Sequence, residues 1–155
     1  MDFRQPKKLT RQGFVRLQAE YEDLLYSKRP QIVKGITNAA AEGDRSENAE
    51  YIYGKKHLRE IDKRLAYLAS LLKNIQVIDP SKQPNHQVCF GSTVHIQDKV
   101  FKIVGEGETD FYPGSVSEKS PIAQALLGKK IGDIAEVHRP KGLWEIEVLG
   151  IESKD

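Results

Sequence analysis

A single cysteine, Cys89, stands among 155 residues, which excludes an intrachain disulfide. Flanked by Val88 and Phe90 in a strand-like run, it reads as a small buried apolar side chain in a reducing compartment. Four histidines (His57, His86, His95 and His138) are too scattered to give, with that cysteine, any metal-ligand spacing. No apolar run approaches the length that spans a bilayer. The stretch Met1-Asp2-Phe3-Arg4-Gln5-Pro6-Lys7-Lys8 lacks the apolar core of a secretion signal, so a cytoplasmic chain is expected. Gly105-Glu106-Gly107 lacks the third glycine and the following helix of a dinucleotide loop. Charge of one sign is also missing, since the net charge is only +2.

That small net charge hides an asymmetry. Residues 1–79 carry 15 Lys and Arg against 11 Asp and Glu, whereas residues 80–155 carry 9 against 11. The first half is basic, which suits contact with a polyanion. It also has strong helical periodicity. Phe14, Leu17, Tyr21, Leu24 or Leu25, Ile32, Ile36 and Ala39 recur mostly at steps of three and four, as do Tyr51, Leu58, Ile61, Leu65, Leu68, Leu72 and Ile75. The two series mirror each other about one point. Pairing Leu17 with Leu72, Tyr21 with Leu68, Leu24 with Leu65, Ile32 with Leu58 and Ala39 with Tyr51 gives residue numbers that sum to 89 or 90. An antiparallel coiled-coil hairpin is predicted over residues 1–79, folding back at a tip of residues 43–47. Some thirty residues per helix give a finger about 45–50 Å long. Such a finger reaches into a partner or serves as a dimerising hairpin.

Thr10 is placed to cap the first helix, with Leu9 and Phe14 as a hydrophobic staple. Pro30 lies inside that helix and Lys28 breaks the apolar period, so a bend or local unwinding is predicted near Arg29-Pro30. The second helix is predicted from about Ser46 to Asn74. A polar, proline-bearing linker follows at 80–86. From residue 87 the pattern changes to short strands, predicted at 87–96, 99–104, 114–117, 134–138 and 143–151, with a turn at Gln97-Asp98. Ser120-Pro121 opens one short helix that Gly128 closes. The expected fold class is α+β: a long N-terminal helical hairpin followed by a small, mostly antiparallel domain over 87–155.

Four carboxylates, Glu42, Asp44, Glu47 and Glu50, crowd the tip. Asp44 and Glu47 have the spacing of a capping box, with Glu50 complementing the helix dipole. The same pair at a solvated tip could also hold a divalent cation. Mg²⁺ takes six oxygens, so a partner or a phosphate would have to complete the site. Beside the tip, Lys55, Lys56, Arg59, Lys63 and Arg64 follow on the second helix, with Arg45, Tyr51 and Tyr53 nearer the end. Cations with exposed rings make a groove for a single strand. The ordinary alternative is a solvated flank with Glu60 and Asp62 as ionic partners.

The run Gly43-Asp44-Arg45-Ser46-Glu47-Asn48-Ala49-Glu50-Tyr51, followed by Lys55-Lys56, Leu58-Arg59-Glu60-Ile61-Asp62 and Arg64, resembles the Gre transcript cleavage factors of bacteria, most of all the GreB type. The likeness extends to Leu9-Thr10 with Gly13, to Arg29-Pro30, and to Ser120-Pro121-Ile122-Ala123 with Ala125-Leu126-Leu127-Gly128 and Gly132-Asp133. Departures are Glu50, Gly54 and the stretch from Glu106 to Ser117. The resemblance implies an FKBP-like second domain and RNA polymerase as partner. The second domain would dock at the rim of the secondary channel through Pro121 and Ile122, and the finger would enter it as a monomer. Asp44 and Glu47 would help the polymerase hold a second Mg²⁺ for cleaving the extruded 3′ end of nascent RNA. Arg45, Lys55, Lys56, Arg59 and Lys63 would contact that RNA. Such a protein is a cofactor of the polymerase and not itself an enzyme. A channel inhibitor without cleavage activity, and a peptidyl-prolyl isomerase or chaperone, remain as other classes.

Overall fold

The computed structural model describes residues 6–43 and 48–155. The first strand, β1 (Lys7–Thr10), runs directly into helix α1 (Arg11–Asp23). A π-helical turn (Leu24–Lys28) joins α1 to α2 (Arg29–Ala41), and α3 (Ala49–Leu72) returns antiparallel to them. Then come β2 (Ile75–Ile78), a 3₁₀ turn at Pro80–Lys82, β3 (Thr93–His95), β4 (Val100–Val104) and β5 (Ser115–Ser117). Helix α4 (Pro121–Leu126) precedes β6 (Ile134–Arg139), β7 (Gly142–Glu147) and β8 (Gly150–Glu152). The α+β class expected from the sequence is the class observed.

The hairpin seam follows the predicted register. Leu17, Leu24 and Ala39 are buried on one side and Ile61, Leu65 and Leu68 on the other. At the far end of α3 it is Leu71 that is buried, whereas the expected Leu72 is only half-buried. The irregularity expected at Arg29-Pro30 lies one turn earlier, for a physical reason. Pro30 has no N–H for the Tyr26 carbonyl, and its ring would crowd that oxygen in a regular helix. The wider turn, closed by the Arg29 N–H donating to the Leu24 carbonyl, absorbs both problems. The extra residue in the turn also restores phase: Lys28 is exposed and Ile32 is again on the half-buried side.

Helix α3 stops at Leu72, two residues before the predicted end. Asn74 has φ 56°, a left-handed conformation that asparagine tolerates better than most residues, and the chain leaves as a strand. That strand was not expected. Ile75–Ile78 pairs in parallel with Lys7–Thr10, a segment the sequence suggested only as a helix start.

The chain forms two compact units, Val15–Lys73 and the residues up to Phe14 together with Asn74–Asp155. The expected division placed all of 1–79 in the finger. Pairing of β1 with β2, and hydrogen bonds to Glu108 described below, gather the start of α1 into the sheet unit instead.

In that unit a four-stranded sheet has the order β5-β4-β3-β8, and β6 and β7 form an antiparallel hairpin. The expected strand over 87–96 is confined to 93–95, because Ser92 folds back on Cys89: the Ser92 N–H donates to the Cys89 carbonyl and its Oγ accepts from the Cys89 N–H. Cys89 is half-buried, and its thiol donates to the Gln87 carbonyl. The expected strand over 143–151 is two strands. Val148 and Leu149 carry the chain from pairing with β6 to pairing with β3. Against expectation, β4 and β5 run parallel. The core gathers Val88, Val94, Ile103, Leu126, Val137 and Val148, every one nearly or wholly buried.

Candidate functional site at the finger end and its flank

The end of the finger is held by one side chain used twice. Asn48 Oδ1 accepts from the Tyr51 N–H at 3.1 Å, which makes it the N-cap of α3. Its Nδ2 donates to the Ala39 carbonyl near the end of α2 at 2.6 Å, an oxygen that also accepts from the Glu42 N–H at 3.2 Å. One asparagine thus contacts both helix ends at the fold-back. The sequence suggested Asp44 with Glu47 as a capping box, but the cap belongs to Asn48. Asp44, Arg45 and Glu47 precede it in sequence and lie outside the described residues, so their predicted roles are not placed by the geometry. Glu42 and Glu50, at the two ends of the described segments, are exposed.

The flank is built by the outer face of α3. Lys55, Lys56, Arg59 and Lys63 are all exposed and fall within about a third of a turn of one another at 100° per residue. None of the four makes an ion pair among the described residues. Of the two acids expected to neutralise them, Glu60 is exposed and makes no ion pair among the described residues, and Asp62 is engaged elsewhere. Asp62 accepts from Arg29 Nε at 2.7 Å and Nη2 at 3.3 Å across the seam, and this bond holds its carboxyl below the ordinary carboxylate range. Arg64, grouped with the patch on sequence, turns away from it. It donates to both Glu20 oxygens at 2.7 and 2.9 Å and lies 5.3 Å from the Tyr67 ring. Ile52 and Tyr53 are exposed beside the lysines, and Tyr53 meets His57 with ring centroids 6.0 Å apart. Tyr51, the other ring suspected on sequence, is half-buried toward the seam. The described flank is therefore four uncompensated cations with apolar and aromatic surface beside them.

In the sheet unit, Ser120 Oγ accepts from the Ala123 N–H at 3.3 Å and caps α4, with Pro121 in the first turn. Pro121 is exposed, whereas Ile122 is half-buried and packs on the core. Of the two residues expected to dock, Pro121 is therefore open to solvent and Ile122 only in part.

Sequence reasoning missed Glu108 altogether. Its carboxylate is fully buried and accepts from the Thr10 N–H at 3.0 and 3.1 Å, from the Thr10 hydroxyl, and from the Gly105 N–H at 2.6 Å. Thr10 Oγ1 in turn accepts from the Gly13 N–H, as expected of a cap, and shares a 2.9 Å bond with Tyr112 Oη. The available signal was the pair of glycines. A Cβ on Gly13 would lie 1.7 Å from a Glu108 oxygen, and one on Gly105 would lie 2.1 Å from the Lys8 carbonyl.

Comparison with known proteins accounts for both halves of the chain. Residues 7–77 match the family described as "Transcription elongation factor, N-terminal", and residues 83–153 match "Transcription elongation factor, GreA/GreB, C-term". The chain belongs to the GreA/GreB family of transcription elongation factors. Over 150 residues it is 41% identical to a protein of Xanthomonas axonopodis pv. citri named transcription elongation factor GreB, covering 93% of this chain and 89% of that one. A Yersinia pestis protein of the same name is 40% identical over 148 residues, covering 90% and 86%. A protein of Agrobacterium fabrum named transcription elongation factor GreA is 39% identical over 150 residues, covering 93% and 95%. Among solved structures, GreA factor homolog 1 of Thermus thermophilus matches with 23% identity and a TM-score of 0.46, covering 96% of this chain and 99% of that one. Membership in the GreA/GreB family implies RNA polymerase as this chain's partner. No described helix is long and apolar enough to cross a membrane.

Among the described residues no three His, Cys, Asp or Glu side chains gather as a metal site. The donor chemistry of Asp44 and Glu47 suits Mg²⁺ only in part. Two carboxylates offer at most four oxygens against the six the ion takes, so a GreA/GreB tip would need ligands from its partner.

Proposed function

We propose that this chain inserts its finger through the secondary channel of RNA polymerase and stimulates the polymerase's own cleavage of backtracked nascent RNA. The observation that carries the reading is the cap. Asn48 occupies the N-cap of α3 and also donates to the Ala39 carbonyl near the end of α2, so the cap position is filled by a residue other than Asp44 or Glu47. Their role is then at the polymerase active site. Asp44 and Glu47 would hold a Mg²⁺ jointly with polymerase groups, and the ion when bound would supply Lewis-acid stabilisation of the attacking and leaving oxygens. The chain's own residues orient and neutralise. Arg45 contacts a phosphate near the scissile bond. Lys55, Lys56, Arg59 and Lys63 follow the extruded 3′ segment along α3, with Tyr53 offering a stacking surface. Pro121 with Ile122 docks on the polymerase at the channel rim. The chain is a monomeric protein cofactor, and the phosphodiester chemistry belongs to the polymerase.

The test is a purified elongation complex, stalled and backtracked, incubated with Mg²⁺ in the presence and absence of the protein. Shortened RNA with a released 3′ fragment, appearing faster with the protein, is the expected result. Binding that blocks elongation without releasing a fragment would instead make the chain a channel inhibitor. Accelerated isomerisation of a proline peptide, without cleavage, would make it a prolyl isomerase.

A further inference from the structure

We infer that the free edge of β7 is a docking site for an extended protein segment in which basic and apolar residues alternate. The edge follows from the register. Glu147 stands opposite Ile134, and just beyond that pair the Val148 N–H donates to the Asp133 carbonyl. This is the pattern of a non-hydrogen-bonded pair, and since the two kinds alternate, Glu145 opposite Glu136 is another. The N–H and C=O groups of Leu143, Glu145 and Glu147 therefore face away from β6. No second strand lies beside β7, and these groups meet no backbone partner among the described residues. An unpaired row of this kind is a template for one more strand.

The fold leaves room for that strand. β8 pairs with β3, and one residue before β8 the Leu149 N–H donates to the His95 carbonyl at 2.8 Å. From that bond the two chains part: residues 96–98 turn toward β4, whereas 144–147 lie along β6. Between them is a cleft of about 390 Å³. Trp144 and Leu149, with the buried Ile96 and Ile146, give it apolar surface, and Asp98, Glu145 and Glu147 stand exposed along it.

Charge selects the occupant. None of these three carboxylates has an ion-pair partner among the described residues. Glu145 also faces Glu136, equally unpaired, in the kind of cross-strand pair that brings side chains closest. Like charges directly opposite one another are destabilising. Cations of an added strand on the Glu145 and Glu147 face relieve that repulsion, while its alternate residues meet Trp144 and Ile146 on the other face. A second copy of this chain pairing edge to edge would instead bring the same acids together, which disfavours it.

The experiment follows the emission of Trp144, the single tryptophan of the chain, as a synthetic peptide is added to the full-length protein. The peptide alternates lysine and valine over about eight residues, the length of an ordinary strand. A saturable change in emission is expected, weakening as salt is raised. A peptide with glutamate in place of lysine should not bind. Glu145→Lys with Glu147→Lys should weaken binding of the lysine peptide about tenfold, with a melting curve to confirm folding. Two further peptides are N-methylated at alternate backbone amides, one at the lysines and one at the valines. Only one of these sets can face β7, so one methylated peptide should bind as the parent does and the other should not; this comparison uses the wild-type protein and holds even if the charge-reversed variant is unfolded. Equal binding by the two methylated peptides, binding of the glutamate peptide as tight as that of the lysine peptide, or unchanged affinity in the folded charge-reversed variant would overturn the inference. A dimer of the free chain that the peptide dissociates would assign the edge to a second copy and overturn it as well.

Discussion

Gly54 faces Ile36 across the finger seam so closely that a Cβ on residue 54 would lie 2.7 Å from Ile36 Cγ1. The two numbers sum to 90, the register on which the facing apolar residues were paired. A glycine within a 24-residue helix is therefore a packing feature. Gly54→Ala gains about 1 kcal/mol of helix propensity but overpacks the seam at a cost of about 1–3 kcal/mol. The expected outcome is a lower melting temperature. Ile36→Ala in the same chain should remove the penalty, so that the two substitutions together cost less than the sum of each alone. Additive losses would show that the helices do not meet there.

The cationic face of α3 makes a prediction about length. Replacing Lys55, Lys56, Arg59 and Lys63 by alanine should spare cleavage on complexes backtracked by a nucleotide or two and impair it where a longer 3′ segment lies along the helix. Each phosphate contact removed should flatten the salt dependence by about 0.7 units of log–log slope. Cleavage rates on short and long backtracked complexes at several salt concentrations check this. Equal loss on both would assign the charges to polymerase docking.

Docking is expected at the start of α4. Pro121→Asp should weaken binding to polymerase with little effect on folding, since Pro121 is exposed and Ser120 supplies the cap. Ile122→Asp should in addition lower stability, by about 1–3 kcal/mol, because that side chain packs on the core. Binding titrations alongside melting curves separate the two effects.

Glu108 gives the fold a pH dependence of definite sign. Burial, the largest influence, raises its pKa above the ordinary glutamate value against the opposing hydrogen bonds from Thr10 and Gly105. A raised native pKa means the folded state holds the proton more tightly than the unfolded chain. The resulting stabilisation is present in full below the unfolded value, near 4.3, and is lost as pH rises through the native value. The neutral acid is accommodated because Thr10 Oγ1 and Tyr112 Oη can pass their bond in either direction. Glu108→Gln has no proton to lose. Its melting temperature should fall less than that of wild type as pH is raised from about 4 to 7, and parallel curves would contradict the assignment.

The finger was legible in the sequence because its periodicity is long and its two halves must match residue for residue. Leu24, Ala39, Ile61, Leu65 and Leu68 could be read as core from that repeat alone. The π turn was legible only as a fault, Lys28 in a core position, because nothing local says how a helix will absorb a proline. β1 and β2 were not legible: Lys7–Thr10 and Ile75–Ile78 are four residues each and pair across nearly seventy, so no local pattern marks them. Glu108 was hidden for a similar reason. A lone glutamate between two turns looks like surface, and its donors lie about a hundred residues away at Thr10. At the tip the carboxylates were legible as candidate chemistry, whereas Asn48 as the N-cap of α3 was not expected.

The central claim is that Asp44 and Glu47 act in the polymerase active site. With Asn48 as the cap, replacing either should leave α3 nearly as stable, far from the roughly 1 kcal/mol that loss of a true N-cap costs. The measurement is the rate of RNA cleavage in a backtracked complex at saturating Mg²⁺ and saturating factor, for wild type, Asp44→Ala and Glu47→Ala, with polymerase binding determined in parallel. The account predicts that both variants bind as wild type does and lose stimulated cleavage. Wild-type cleavage by either variant would contradict it.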